Sequence, residues 1–472
     1  MFDWQAFLRS LLIGSGYFVL VYMMIVLACY TLFFIFSYLH MRRTRHLEEH
    51  SVYEEMLNAS YSRPISILVP AYNEESGIVG SVRSLLSIEY PAFEIIVVND
   101  GSRDGTLQRM IEQFRMTPVT RTVRKQLDTE AVRTVYQSAI YDHLYLIDKE
   151  NGGKADALNA GINFAQYPFF CSLDGDSVLE RHSFLKVMKP ILESGEEVIA
   201  TGGSIRIANG CRIESGEVAE VGLSRHPLVV MQVIEYLRAF LLGRVGMSRL
   251  NLLLIVSGAF GVFNKHWVVE AGGYRRNTVG EDMELIVRLH RMNKDRKLGK
   301  VIRYIADPVC WTEAPERLKY LRRQRNRWHR GLLETLLLHR GMLLRPKYGA
   351  VGWFSLPYYL FVELLGPVVE TAAYVILILT LTFTEIDWTF TGLLLFISLL
   401  YGSLFSMAAV LMEEWSLRKY PKVGQLVRLF LYALTETFWY RPLTVWWRCE
   451  GLVQWALGKR GWGDMKRKGV SA

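Results

Sequence analysis

The feature that most constrains this chain is the run from Leu11 to Leu39, which contains no charged residue. A helix of that length exceeds the ~20 residues needed to cross a bilayer. A secretory signal is the rival interpretation, but in such a signal the basic residues come first and a small-residue cleavage site follows a shorter apolar core. Here the basic cluster (Arg42, Arg43, Arg45) follows the run. We therefore predict an N-terminal transmembrane helix over residues 1–40, with the following segment in the cytoplasm.

Composition supports a chain that lies partly in lipid. Of the 472 residues, 51% are hydrophobic, and 55 Lys and Arg stand against 46 Asp and Glu, a formal charge of +9. That balance points first to anionic lipid headgroups and only second to nucleic acid. No basic stripe laced with aromatic residues supports RNA or DNA binding. The five cysteines are scattered without metal-ligand spacing or a disulfide framework, as a reduced cytoplasmic catalytic face would require.

Residues 61–340 alternate between predicted strands and helices. A helix is predicted over 75–88, and strands are predicted over 65–70, 93–98, 144–147 and 169–173. Alternation of this kind predicts an α/β domain with a mainly parallel sheet. Polar or carboxylate residues follow all four strands. Because the carboxyl ends of parallel strands share one edge, we expect these side chains to converge there.

The strand at 169–173 ends in Asp174-Gly175-Asp176. Two carboxylates separated by a small residue suit a hard divalent cation that also takes oxygens from substrate phosphates. Taken alone, the motif is more typical of an Asp-rich turn than of a metal site. Its context decides between the two interpretations.

Two other strand ends and one helix start supply that context. The segment Pro70–Glu75 follows the first strand, and Asn99–Thr106 follows the second. Asn151–Asn159 opens a helix with two glycines and Lys154, which lets backbone N–H groups and a point charge approach a phosphate. The Gly-Lys-Ser/Thr spacing of a P-loop is missing. With the Asp-Gly-Asp segment, these loops predict a base-binding loop, a phosphate cradle and a metal site.

Two downstream segments complete the pattern. Val279–Glu284 places carboxylates at a predicted helix start, where they serve either as caps or in catalysis. Gln324-Arg325-Asn326-Arg327-Trp328 lies in a strongly basic helix, either a membrane-surface helix or a site. As chemistry, an arginine can neutralise a leaving diphosphate and a tryptophan ring can stack on a sugar.

A C-terminal transmembrane bundle is predicted over 350–457, followed by a basic cytoplasmic tail, 458–472. The span candidates are 358–383 and 389–412, joined by an external acidic loop at 384–387. The stretch 426–457 is either one span with an interfacial helix or a re-entrant pair, so two to four spans remain open. Glu363 and Glu370 are equally compatible with helix–helix hydrogen bonding and with a functional role. An amphipathic helical region near the membrane is predicted over 228–254.

Together these segments resemble the family-2 inverting glycosyltransferases. In particular, the chain is similar to the membrane-embedded synthases of poly-N-acetylglucosamine, chitin, hyaluronan and cellulose. The resemblance covers residues 61–340 and rests on the Asp100 loop, Asp174-x-Asp176, Glu281-Asp282 and Gln324-x-x-Arg327-Trp328. It implies an α/β GT-A fold, a Rossmann-like nucleotide-sugar domain inserted between transmembrane helices.

The resemblance also implies residue roles. Asp282 is the implied general base, and Asp174 with Asp176 would hold Mg²⁺ or Mn²⁺. The implied donor-binding residues are Pro70, Ala71, Tyr72, Glu74, Asp100, Lys154, Asp174 and Arg327. The implied acceptor-binding residues are Ser257, Gly258, Glu281, Gln324 and Trp328.

The implied activity is that of a processive, inverting β-hexosyltransferase. The resemblance also implies a multi-pass protein of the plasma (inner) membrane with a cytoplasmic catalytic domain. It would take a nucleotide-sugar, first expected to be UDP-N-acetylglucosamine, and pass an extracellular polysaccharide through its own channel. Addition of one sugar to a lipid acceptor is the open alternative, and a transporter or receptor that only binds nucleotide-sugar is the rival from another class. Expected partners are the donor, the growing glycan or lipid acceptor and membrane lipids, without nucleic acid, and with room for accessory export or polysaccharide-modifying proteins.

Overall fold

The computed structural model describes most of the chain. The described residues are 4–44, 62–121, 123–175, 177–194, 197–214, 217–383, 389, 392–393, 396–397, 400–417, 420 and 422–459. Three predictions therefore lie outside the described residues: the metal carboxylate Asp176, the acidic loop 384–387 and the basic tail from 460 onwards.

The described residues between 62 and 340 form a ten-stranded sheet with a separate two-stranded ribbon. In chain order the strands are β1 Ile65–Ala71, β2 Phe93–Asp100, β3 Met116–Pro118, β4 Val132–Ser138, β5 Leu144–Lys149, β6 Phe169–Leu173, β7 Val178–Leu179, β8 Val198–Ile207, β9 Arg212–Glu214, β10 Glu217–Glu220, β11 Phe260–Asn264 and β12 Val301–Thr312. The large sheet has the order β3-β4-β5-β2-β1-β6-β11-β8-β12-β7, and β9 pairs with β10.

Four parallel neighbours form the centre of the sheet. β1 pairs in parallel with β2 and β6, and β2 pairs in parallel with β5. These are the four strands predicted from the sequence, and their carboxyl ends reach one edge. The sheet is mixed overall, because β4, β7 and β11 run against the other strands. β11 lies between β6 and β8, a non-local insertion that alternation of strand and helix does not predict.

Helices pack against this sheet where their residues are small or apolar. The helices of this part are Ile78–Leu86, Thr106–Phe114, Lys154–Phe164, Ser183–Ser194, Pro227–Leu237, Val245–Arg249, Lys265–Glu270, Glu281–Asp295 and Leu318–Leu338. The first is shorter than the predicted helix over 75–88, because residues 75–77 form a turn. In Lys154–Phe164, a methyl group on Gly161 would lie 3.1 Å from the Leu68 Cδ2 atom. This helix therefore sits directly on β1, which fixes the position of its N-terminus at the sheet edge.

Two helices are long and apolar enough to cross a membrane. The N-terminal helix Trp4–Thr44 contains the candidate span Ser10–Arg43, with mean hydropathy 2.6, and Val351–Thr380 is the other, with mean hydropathy 1.9. They contact each other, since the Tyr22 hydroxyl donates a 2.8 Å hydrogen bond to the Phe361 carbonyl. These are the two candidates within the described part of the chain, and length and apolar composition alone are weak evidence for insertion.

The second candidate span is built from the π-helical turns Val351–Ser355 and Tyr359–Leu364 and the α-helices Leu356–Tyr358 and Gly366–Phe383. The other described C-terminal elements are the helices Phe405–Ser416, Val423–Thr435 and Tyr440–Ala456, the π-helical turn Leu400–Leu404 and the 3₁₀ turns Arg340–Met342, Pro346–Tyr348 and Glu436–Phe438. The stretch predicted as 426–457 is thus two helices broken at Glu436. The second helix packs on Leu318–Leu338, where Gly451 approaches the Asn326 backbone.

The region predicted to be an amphipathic surface helix, 228–254, is different in the structure. Helix Pro227–Leu237 continues through a π-helical segment, Arg238–Arg244, into Val245–Arg249. Val229, Val230 and Ile234 have no exposed surface, so the helix is buried on most of its circumference. Burial is possible because the charged Arg238 is paired with Glu436 at 2.8 Å.

Glu363 and Glu370 are engaged in ion pairs within the helical region. Arg441 binds both oxygens of Glu370, at 2.8 and 2.5 Å, and Glu363 accepts from the Tyr358 hydroxyl at 2.9 Å and pairs with Arg448 at 3.3 Å. Of the two interpretations left open by the sequence, these contacts favour helix–helix hydrogen bonding.

Candidate functional site

The loops that follow β1 and β2 are held together by side-chain hydrogen bonds. Asn73, whose φ of +56° is in the left-handed region, donates its amide N–H to Ser102 Oγ at 3.0 Å and accepts from the Arg103 amide at 2.8 Å. The Glu74 amide donates to Thr106 Oγ1 at 2.9 Å. Tyr72 is 45% exposed at this edge. The predicted base-binding loop is therefore held in one conformation by these hydrogen bonds and presents an exposed aromatic ring at the sheet edge.

The carboxylate of Asp100 is engaged in hydrogen bonds within the protein. Its carboxylate is buried and accepts hydrogen bonds from Lys149 Nζ at 2.6 Å and from the amides of Gly152 and Gly153 at 3.0 and 2.7 Å. The Asn151 side chain also donates to it, at 3.2 Å. The two glycine N–H groups expected to face a phosphate thus face Asp100 instead. In this arrangement Asp100 fixes the shape of the loop before Lys154.

Lys149 and Asp156 form a buried network that sequence reasoning missed. Neither side chain is exposed, and Lys149 Nζ lies 2.7 Å from Asp156 as well as 2.6 Å from Asp100. Asp156 also pairs with Arg276 at 2.8 Å. A lysine two residues after the predicted strand 144–147 was the one available signal, because a charge at the end of a buried strand needs a partner. The network ties the Asp100 loop to the segment that precedes the predicted base.

Lys154 and Asp174 meet at the strand edge. Lys154 Nζ lies 2.5 Å from Asp174 Oδ1 and 3.0 Å from the Gly258 carbonyl. The Asp174 amide in turn donates to the Ala259 carbonyl at 3.2 Å. Gly175 lies against the first loop, since a methyl group on it would be 3.5 Å from the Pro70 carbonyl. The structure thus joins the Asp-Gly-Asp segment, the Lys154 helix start and the Ser257–Gly258 loop.

Asp282 lies beside the same cluster. A methyl group on Gly258 would be 2.8 Å from Asp282 Oδ2 and 3.7 Å from Lys154 Nζ. A side chain at position 258 would collide with Asp282, so glycine lets the loop pack closely against this carboxylate. Glu281 lies behind it, with a carboxylate oxygen 3.8 Å from Lys154 Nζ. Asp282 is partly exposed and Glu281 is buried, so Asp282 is the carboxylate of the pair that a substrate can reach.

Three carboxylates share the charge of Lys154. Burial lowers the pKa of the Lys154 ammonium. The negative charges of Asp174, Glu281 and Asp282 raise this pKa by more than burial lowers it, so it lies above its ordinary value. Burial raises the pKa of Glu281 to about 7, although the positive charge of Lys154 opposes the rise. The cluster therefore has an excess of acidic groups at the point where the sheet edge opens.

The helix Leu318–Leu338 holds the predicted acceptor motif. Trp328 is 43% exposed, and the Arg325 guanidinium lies 4.4 Å above its ring. Arg325 also donates to the Gln324 side-chain oxygen at 2.9 Å and to Glu235 at 2.5 Å. Arg327 lies within electrostatic reach of Glu281. One ring face of Trp328 is thus supported by a cation, and the side chain remains accessible.

The acceptor-motif helix touches the helix that carries Asp282. A methyl group on Gly280 would lie 2.9 Å from the Gly331 Cα atom, and the converse distance is also 2.9 Å. Such a backbone approach requires glycine at both positions. Gly331 is one turn beyond Trp328, which brings the predicted acceptor motif and the predicted base into one assembly.

The chemistry of Asp174 fits a divalent cation in part. Its carboxylate is 25% exposed at an open strand end, and hard oxygen donors of this kind suit Mg²⁺ or Mn²⁺ when substrate phosphates supply the other ligands. Within the described residues no three His, Cys, Asp or Glu side chains form a metal-binding group. Asp176, the other expected ligand, is outside those residues.

Comparison with known families matches two overlapping parts of the chain. Residues 66–214 match the family Glycosyl transferase family 2, and residues 169–386 match Glycosyl transferase family group 2. The chain is similar to poly-beta-1,6-N-acetyl-D-glucosamine synthase of Staphylococcus epidermidis, with 28% identity over 275 residues, 58% of this chain and 55% of the relative. The Staphylococcus aureus (strain COL) synthase gives 28% over 283 residues, 60% and 57%. The chain thus spans about half the length of these curated relatives.

A solved structure supports the fold. A mannosyltransferase of Pyrobaculum calidifontis, in complex with GDP-Man and Mn²⁺, aligns with a TM-score of 0.51 and 16% identity over 89% of this chain and 99% of that chain. At this identity the likeness concerns the fold alone. The fold is of the GT-A type, with the mixed, mostly parallel sheet described above.

Proposed function

Since this chain belongs to the family-2 glycosyltransferases, we propose that it transfers hexose units from a nucleotide-sugar and builds a polysaccharide. The name shared by the staphylococcal relatives makes UDP-N-acetylglucosamine the first donor to test. The single observation that carries the proposal is the cluster in which Lys154, Asp174 and Asp282 surround Gly258.

Asp282 acts as the general base in this proposal. It is partly exposed, and its Oδ2 atom lies beside the Gly258 backbone at the edge where Lys154 and Asp174 meet. An acceptor hydroxyl that reaches this carboxylate would give its proton to Asp282 while its oxygen attacks the anomeric carbon. Attack from the face opposite the nucleotide inverts the configuration, so an α-linked donor gives a β-linked product.

Cations stabilise the departing diphosphate. Lys154 stays protonated, because the surrounding carboxylates raise its pKa, and Arg327 is the next cation near the cluster. Developing negative charge on the leaving oxygen is stabilised by such fixed cations. Asp174, with Asp176, would hold Mg²⁺ or Mn²⁺, which supplies further charge neutralisation to the diphosphate.

The donor and acceptor occupy opposite sides of this cluster. We assign the nucleotide to the base-binding loop, which contains Pro70, Ala71, Tyr72 and Glu74 and lies against Gly175. Asp100 would shape the neighbouring loop through its contacts to Gly152 and Gly153. The acceptor sugar is assigned to Ser257, Gly258, Gln324 and Trp328, with the exposed Trp328 ring as the stacking surface.

We place the catalytic domain, residues 61–340, on the cytoplasmic face of the membrane between the two apolar helices. The lipid-facing surface is consistent with this, since Phe18, Ile25 and Ile378 are 64%, 56% and 60% exposed. The domain would be flanked by the N-terminal helix (1–40) and the C-terminal bundle (350–457), with the tail 458–472 also cytoplasmic. Basic residues at the end of the first helix, Arg42 and Arg43, favour this orientation.

Product length tests processive synthesis against single addition to a lipid. The purified, detergent-embedded protein is incubated with a panel of nucleotide-sugars, Mg²⁺ and a short glycan primer or a lipid acceptor. Release of nucleoside diphosphate identifies the donor, and mass spectrometry measures product length. Long chains from primer support processive synthesis. A product that is a lipid carrying one sugar would instead support single addition to a lipid acceptor. Donor binding without release of nucleoside diphosphate would indicate a receptor that only binds nucleotide-sugar.

The Trp328→Ala variant sharpens this experiment. Stacking holds a sugar without a fixed set of hydrogen bonds, so a polymer end can slide by one unit and remain near Asp282. We expect the variant to lose chain extension while it retains donor hydrolysis. Trp446→Ala is the matched control, because that ring is 63% exposed on a different helix. Equal loss of both activities in Trp328→Ala would contradict the stacking role.

A further inference from the structure

The helix Leu318–Leu338 has a second feature beyond the acceptor motif. Two turns after Arg327 lies Glu334, the only acidic residue between positions 318 and 338. Glu334 has no place in the proposed chemistry, because its contacts are with the segment that precedes Asp282. Those contacts are specific enough to assign it a role.

Glu334 binds the approach to the base-bearing helix. Its Oε2 atom accepts hydrogen bonds from the Thr278 hydroxyl at 2.8 Å and from the Val279 amide at 3.0 Å. The Thr278 oxygen in turn accepts from the Gly280 amide at 3.2 Å. One carboxylate therefore restrains three consecutive residues immediately before Glu281 and Asp282.

The base-bearing helix lacks a cap of its own. The residue before it is Gly280, which has no side chain to accept from the first free amides of the helix. The relay from Glu334 through Thr278 supplies acceptors for the amides that lead into the helix. Because these acceptors hold the residues immediately before the helix and come from a different helix, the position of Asp282 depends on where the acceptor-motif helix lies.

Glu334 holds the Thr278–Gly280 end of this segment, whereas Arg276 holds its beginning through Asp156. A cavity of about 660 Å³ adjoins it, lined in part by Thr278, Val279, Glu334 and Leu337. On the same helix, three residues before Glu334, Gly331 is in close contact with Gly280. The hydrogen bonds to Glu334 therefore oppose movement of the segment away from this helix, and the Gly280–Gly331 contact prevents a closer approach.

We propose that Glu334 is a positioning residue that couples the acceptor-motif helix to Asp282. A displacement of Trp328 or Arg327 along their helix would be transmitted through Glu334 to the start of the base-bearing helix. Base and acceptor then keep their relative position when the helix shifts between additions. This inference rests on the proposed function, since it assigns the base to Asp282.

The test compares three variants of the full-length protein. Glu334→Ala removes the acceptor atoms, Glu334→Gln keeps one oxygen that can accept both hydrogen bonds, and Leu337→Ala alters the same cavity without touching them. Each is measured for kcat and donor KM with UDP-N-acetylglucosamine, or with the donor identified above. Hydrogen–deuterium exchange of the Val279 and Gly280 amides is followed in parallel without substrate.

We expect Glu334→Ala to lower kcat about tenfold or more, since small displacements of a catalytic group are costly, with donor KM within about twofold. Exchange at Val279 and Gly280 should accelerate in that variant. Glu334→Gln and Leu337→Ala should resemble the wild type in both measurements. Unchanged exchange in Glu334→Ala overturns the proposal whatever the activity. A loss of kcat in Glu334→Gln equal to that in Glu334→Ala also overturns it. A wild type with no transfer to any acceptor refutes the proposed function, while the exchange data still decide the restraint by Glu334.

Discussion

Carboxylates at the sheet edge and carboxylates in the C-terminal helices are matched to cations in different ratios. At the edge, Asp174, Glu281 and Asp282 share Lys154, with Arg327 as a further cation acting on Glu281. In the helices three buried glutamates are each paired with one arginine: Glu370 with Arg441, Glu436 with Arg238 and Glu413 with Arg206.

The difference separates two uses of the same chemical group. A one-to-one buried pair is neutral and holds helices together, and it leaves no charge for a ligand. A surplus of carboxylates around one lysine keeps basic oxygens at an open edge, which suits proton transfer and a divalent cation. Charge ratio, rather than the presence of acidic residues, distinguishes the candidate site from the scaffold.

Replacement of the proposed base, Asp282, is the strongest test of the difference between the two groups of carboxylates. Asp282→Asn should lower transfer by about a thousandfold, because a neutral amide cannot accept the acceptor proton. Nucleoside diphosphate release is the measurement, and donor binding by calorimetry should be nearly unchanged. Substantial turnover in the pure variant would remove Asp282 from the site and leave the acidic surplus without a catalytic purpose.

Removal of the predicted metal ligand should have the next largest effect. Asp174→Ala, or excess chelator with the wild type, should lower transfer by about a hundredfold, since the diphosphate loses a source of charge stabilisation. Asp142→Ala is the matched control, because Asp142 is exposed on a distant strand connection. Full activity in chelator would show that the carboxylate surplus serves something other than a cation.

A paired glutamate should affect stability and leave catalysis intact. Glu370→Ala strands the buried Arg441, so unfolding should become easier by about 3 kcal/mol. Thermal melting in detergent measures this, with Glu363→Ala, whose side chain is 29% exposed, as the milder control. The activity of the folded fraction should match the wild type. A catalytic loss with unchanged melting would mean that these glutamates are functional after all.

The smallest expected effect is a pH dependence at Glu281. Burial raises its pKa to about 7 from an unfolded value near 4.5, so between those values the native state binds more protons than the unfolded chain. Melting temperature should therefore fall as pH rises from about 5 to about 8 when donor and metal are absent. Glu281→Gln should flatten this slope. An equal slope in that variant would show that Lys154 fully compensates the charge.

Local signals were sufficient to predict the centre of the fold. β6 matches its prediction at 169–173, because a run of apolar residues ending in two carboxylates indicates a buried strand at a ligand edge. Asp174, Lys154 and Asp282 were likewise identified from segments at strand ends and helix starts, and the structure brings them around Gly258. Their roles remain predictions for the experiments above.

Non-local partners account for what the sequence did not reveal. β11 was not predicted as a strand, since only its insertion between β6 and β8 makes it one. Lys149 and Glu334 act through residues 7 to 56 positions away in the chain. The amides of Gly152 and Gly153, predicted to bind a phosphate, donate instead to Asp100, which is also distant in the chain. A pattern in one segment indicates what a residue can bind, whereas the fold decides which partner reaches it first.

The pair between Arg206 and Glu413 has a practical consequence for anyone who wishes to study the catalytic half alone. Arg206 lies near the end of β8, between β11 and β12, Glu413 lies on helix Phe405–Ser416, and both side chains are 1% exposed. A shortened protein ending near residue 340 would contain a guanidinium without its counterion inside the sheet. Such a fragment should express poorly or aggregate, and Arg206→Met is the substitution most suited to rescue it.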